Sequence, residues 1–67
     1  MVGKVVRIIR PKGFGWIQVE GESEARFFSA NDVQPYSLFE TVQEGDDVEF
    51  TPTDIGKGPR AVEVKQC

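Results

Sequence analysis

The sequence has no histidine, and its single cysteine, Cys67, is the last residue. No internal disulfide can form, and a zinc site built from cysteine and histidine is excluded. Cys67 reads as a frayed terminal thiol without a role. The commonest general base is missing too. No nucleophile has a paired base, and no glycine-rich loop leads into a helix as a phosphate cradle does. Neither an enzyme nor a metal or cofactor is therefore expected. No apolar run approaches the roughly 18 residues of a membrane-spanning helix. The start, MVGKVVRII, turns polar too soon for a secretory signal. A reducing, cytoplasmic setting with no membrane partner is the simplest expectation. Also absent is any window with the 3.6-residue apolar period of an ordinary helix.

What remains is a short, acidic chain with a local excess of base. Its 67 residues suit one domain with one modest core, in which every large apolar side chain matters. A net charge of −3 argues against a broad basic surface. Yet Lys4, Arg7, Arg10 and Lys12 fall in the first twelve residues with no acid among them, while acids gather at residues 20–24 and 40–47. A local basic patch on an acidic domain suits nucleic-acid binding, because steering follows the local potential. A solvated strand edge fits the charges equally well.

Alternation broken by turn chemistry is the recurring pattern, the mark of a small all-β domain. Residues 4–9 read as a first strand rich in valine and isoleucine. Arg10-Pro11-Lys12-Gly13 reads as a turn. Residues 14–19 read as the second strand, 25–29 as a short third, 48–50 as the fourth and 60–65 as the fifth. One helical turn fits residues 29–33, and Pro35-Tyr36-Ser37 opens a longer loop. Five short strands with one long middle loop imply a small antiparallel barrel, for which the oligonucleotide/oligosaccharide-binding (OB) fold is the common solution. Closure also removes exposed strand edges.

The stretch KGFGWI, residues 12–17, places Phe14 and Trp16 two apart, so both lie on one face of a strand. The other face carries Gly15, Ile17 and Val19. If Ile17 and Val19 supply core, the aromatics face outward, and an exposed apolar cluster marks an interaction site. Glycine within a strand also permits curvature and close approach of a ligand.

KGFGWI resembles the first ribonucleoprotein motif, Lys-Gly-Phe-Gly-Phe-Val/Ile, of cold shock proteins and cold shock domains. The likeness runs along nearly the whole chain. Gly3-Lys4-Val5 matches an opening Gly-x-Val, and Glu44-Gly45 with Val48-Glu49-Phe50 matches Glu-Gly-x-x-Val-x-Phe. Gly58-Pro59, Ala61 and Val64 match the closing Gly-Pro-x-Ala and valine. RNA-recognition-motif domains share the six-residue signature but need two helices and a longer chain. The resemblance implies a five-stranded barrel that binds single-stranded RNA or DNA with little sequence preference. Outward aromatics stack on bases and basic side chains around them meet phosphates; Lys12, Phe14 and Trp16 take these roles here.

Some of the family's pattern is not kept. For EARFFSANDV two registers exist against the family's Val-Phe-Val-His-Phe. One sets Phe28-Ser29-Ala30 on the family's Phe-Ser-Ala. The other, preferred because it makes Val33 a core residue, sets Phe27 at the first aromatic, Phe28 in the core and Ser29 at the histidine. In both, one or two stacking groups are lost, and Phe27 is the safest outward aromatic. In strand one Val6-Arg7-Ile8-Ile9 stands where the family has Lys-Trp-Phe-Asn; Arg7 either replaces the tryptophan in part, since a guanidinium can stack on a base and also meet a phosphate, or is a solvated strand arginine. In the middle loop Phe39 or Tyr36 serves as a further aromatic, with the other capping the barrel end. Arg60 and Lys57 are phosphate-contact candidates. The expected partner is single-stranded nucleic acid, with a protein-interaction role for the same face as the alternative, and the expected state is a monomer.

Overall fold

Where apolar and polar residues alternate, one side of each strand can be buried while the other stays in water. The computed structural model, which describes residues 1–54 and 58–67, forms five strands on this basis: β1 (Val2–Ile9), β2 (Phe14–Gln18), β3 (Arg26–Ser29), β4 (Asp47–Thr53) and β5 (Arg60–Gln66). They close in the order β1-β2-β3-β5-β4, with β4 returning to β1. The pairing is antiparallel except between β3 and β5, which run parallel and meet at Phe27 and Arg60. The observed strands match the expected five, with β1 beginning two residues earlier and β4 running on to Thr53.

The barrel interior is filled from every strand. Val5, Ile17, Phe28, Val42, Val48, Ala61 and Val64 are buried at 2% exposure or less, and Phe50 and Val33 complete the centre. Val33 follows a 3-10 turn at Ala30–Asp32 and bridges to Val64, so the segment after β3 closes one end. Ser29 caps that turn, its side chain accepting from the Asn31 N–H while Asp32 accepts from the Ser29 N–H. This is the reciprocal arrangement of a capping box. A second short turn, Tyr36–Glu40, lies in the middle loop and sends Phe39 inward.

Two local features decide where β1 and β2 point. The Arg10–Lys12 turn ends on Gly13 at φ 77°, a left-handed conformation that costs glycine little. Gly15 is required for a different reason. A Cβ there would lie 2.5 Å from the Arg7 carbonyl oxygen and 3.0 Å from the Phe28 ring. The β1–β2 ladder and the core aromatic therefore approach each other through the space glycine leaves.

Candidate nucleic-acid interface

Residues of β2 and β3 that point away from the core form a continuous aromatic face. Trp16 pairs with Phe27 across the β2–β3 ladder, and Phe14 lies two residues from Trp16 on the same side. Ring centroids are 5.2 Å apart for Phe14–Trp16, 5.6 Å for Phe14–Phe27 and 5.9 Å for Trp16–Phe27. Two of the three pairs are edge-to-face, the geometry favoured by ring quadrupoles. None of these rings belongs to the buried core; all three are half-buried. Strand parity set Ile17 on the face opposite Phe14 and Trp16, and it is fully buried. Phe28 likewise lies in the core and Phe27 outside, as in the preferred register.

Cations frame this face. Arg7 stands opposite Trp16, and with Ile9, Lys12, Phe14 and Trp16 it lines a shallow hollow of about 460 Å³. Arg7 and Lys12 are exposed, and neither makes an ion pair among the described residues. At the other edge the Arg60 guanidinium lies 5.2 Å from the Phe27 ring centroid, within cation–π range. Arg10, by contrast, is turned toward the middle loop, where its guanidinium donates to the Val42 carbonyl. Lys4 is paired with Asp47 at 3.0 Å. The basic first segment thus divides: two of its four cations flank the aromatics, and two tie down other parts of the barrel.

The two middle-loop aromatics separate clearly. Phe39 is only 6% exposed and packs edge-to-face on Phe28, ring centroids 6.2 Å apart. Its expected stacking role is corrected: a barrel this small needs its open end plugged, and Phe39 is the plug. Tyr36 is 63% exposed, and its ring makes no contact with the other aromatics among the described residues. Lys57 lies outside the described residues. Ser29, across from Phe14, offers no ring at the position that the preferred register gives to the family's histidine.

Arg26 was not singled out from the sequence, although it shares the inward face of β3 with Phe28. It is 8% exposed and binds Glu22 through two hydrogen bonds of 2.9 Å. It also donates to the Arg60 carbonyl at 3.1 Å and lies 3.4 Å from Asp54. The cluster joins the β2–β3 turn to the start of β5. The Arg26 hydrogen bond holds the Glu22 carboxyl below the usual glutamate value, and Glu22 in turn raises that of Arg26. The signal for it was an arginine at an inward parity position with a glutamate four residues earlier.

A closed five-stranded barrel with an outward aromatic cluster framed by arginine and lysine defines an OB-fold of the nucleic-acid-binding class. The chain belongs to the cold-shock domain family: residues 1–67 match the model of the 'Cold-shock' DNA-binding domain. It is 39% identical over 62 residues to the cold shock-like protein CspD of Bacillus cereus, covering 92% of this chain and 91% of that one. Against the cold shock-like protein CspB of Bacillus cereus it is 38% identical over 64 residues, 96% of this chain and 95% of that one. The cold shock protein CspA of Staphylococcus epidermidis is 41% identical over 54 residues, 79% of this chain and 77% of its own.

Proposed function

We propose that the protein binds single-stranded RNA or DNA with low sequence specificity, acting as an RNA chaperone or as a regulator of transcription or translation. The observation that carries this reading is the outward cluster of Phe14, Trp16 and Phe27. Every base has a π-face, so a ring platform gains about 1–3 kcal/mol per stacked base without reading sequence. Arg7, Lys12 and Arg60 are placed around the rings to meet phosphates, and Tyr36 is an outlying candidate. Sequence-tolerant binding of this kind keeps transiently single strands from pairing with themselves. Fewer platforms than the family pattern imply weaker binding: Ser29 and Arg7 stand at positions where the family stacks rings.

Trp16 supplies its own reporter. Titration with a short oligothymidine or oligouridine at low salt is expected to quench its fluorescence, and the affinity is expected to fall as salt rises. An unquenched Trp16 at low salt with both oligomers sinks this reading and leaves the aromatic face to a protein partner.

A further inference from the structure

Arg60 is held at both ends by groups of the binding face. Its guanidinium carbon lies over the Phe27 ring, and its Nη2 donates to Asp32 Oδ2 at 3.3 Å. That same carboxylate oxygen accepts from the Ser29 N–H at 3.0 Å, so the acid is fixed by the turn it caps. The backbone of Arg60 is fixed as well. It bridges to Phe27 across β3 and β5, and its carbonyl accepts from Arg26 Nη1 at 3.1 Å. The Arg60 side chain is 40% exposed and that of Asp32 19%. The Arg60 Nε is buried with no hydrogen-bond partner among the described residues, so the ion pair with Asp32 is made through Nη2 alone there. Solvent therefore reaches the cation more readily than the acid that neutralises it.

We propose that Asp32 is an internal counter-ion that competes with nucleic-acid phosphate for Arg60, and so sets the strength and salt dependence of binding at the Phe27 edge. The inference rests on the nucleic-acid reading above. A phosphate arriving at Arg60 meets a cation already paired, with a fixed carboxylate beside it. The phosphate must share or break the Asp32 contact, and the repulsion between the two anions opposes its gain. A cation neutralised from within also carries less of the counterion exchange that makes binding salt-dependent. Arg7 and Lys12, at the opposite edge, have no such partner among the described residues, so the two edges of one face differ in kind.

The test is Trp16 quenching by an oligothymidine octamer across a series of salt concentrations, for the wild-type chain, Asp32→Asn, Arg60→Gln and the double variant. Removing the carboxylate charge is expected to tighten binding roughly twofold to fivefold at low salt, the range of an exposed ion pair. The salt slope is expected to steepen by about one ion. In the Arg60→Gln background the same change is expected to gain nothing. Asp32→Ser runs beside it, because serine also leaves an oxygen for the Ser29 N–H; the same gain in a folded Asp32→Ser chain supports the competition. If the wild type binds while folded Asp32→Asn and Asp32→Ser bind no tighter, the proposal is overturned. It is overturned equally if the gain survives without Arg60, since any lost acid would then do the same. Failure of the wild type itself to quench points instead at the nucleic-acid reading.

Discussion

Arg7 stands directly opposite Trp16 on the β1–β2 ladder, and it does so because the ladder slips by one residue after Val5. Val5 pairs with Ile17, and continued register would set Val6 against Trp16 and turn Arg7 into the core beside Gly15. The extra residue, Val6, is left exposed, and every side chain after it changes face. A bulge thus delivers a cation to the aromatic face. Arg7→Ala is expected to weaken oligothymidine binding by roughly twofold to twelvefold, the equivalent of one net hydrogen bond of about 0.5–1.5 kcal/mol at an exposed site. Its salt slope should fall by about one ion. Unchanged affinity and slope would place Arg7 outside the interface.

Phe27 and Tyr36 are both accessible aromatics, but only Phe27 shares contacts with Phe14 and Trp16. Phe27→Ala is expected to cost one stacking platform, about 1–3 kcal/mol of binding free energy, or roughly fivefold to 150-fold in Kd. Tyr36→Ala should cost less than half of that. Isothermal titration of both variants with the same oligomer decides the matter, and equal losses would extend the site along the middle loop.

The centre of this site was legible in the sequence because strand parity sorts its residues into two faces and the family resemblance says which face is outward. Once Ile17 belongs to the core, Phe14 and Trp16 face out. For Phe27 outside and Phe28 inside, the preferred register against the family's motif was needed as well. Parity did not identify the slip at Val6: a bulge is one uncounted residue, and Arg7 could be assigned outward only from the family's tryptophan at its position. Phe39 and Tyr36 were indistinguishable for a related reason, since neither lies on a strand whose alternation could sort them. Arg26 was overlooked because charge is ordinarily read as surface. At an inward position it is tolerable only with partners from the β2–β3 turn and β5, which are distant in sequence from one another.

Glu63 takes φ 52° inside β5, where the β4–β5 register also shifts. An L-residue in this left-handed region carries a cost of roughly 1–2 kcal/mol that glycine avoids. Glu63→Gly gives up an exposed hydrogen bond from Thr51 Oγ1 and adds chain entropy to the unfolded state, so the net gain is smaller than the strain removed. Stabilisation of about 0.5–1 kcal/mol is expected. In a domain this short that is a rise of a few degrees in Tm. A lower melting temperature for Glu63→Gly would mean that the Thr51 contact outweighs the backbone cost.

The Glu22–Arg26 pair makes barrel stability depend on pH, and the sign follows from the direction of the shift. Glu22 is held below the usual glutamate value chiefly by the Arg26 hydrogen bond, which outweighs the opposing effect of burial; the Arg26 charge adds a smaller pull in the same direction. A carboxyl whose value is depressed on folding contributes stability above the unfolded value and loses it as pH falls through the folded one. Glu22→Gln should therefore be less stable than the wild type at neutral pH. The gap should close through the acid range, below the ordinary glutamate value. The check is the urea midpoint of both chains at a series of pH values from neutral down to about pH 3. Arg26→Leu supplies the second arm: it removes the cause of the shift, so Glu22→Gln in that background should no longer change the pH profile. A gap that stays constant with pH would assign the cost of Glu22→Gln to lost packing, and one that persists without Arg26 would assign the shift to another charge.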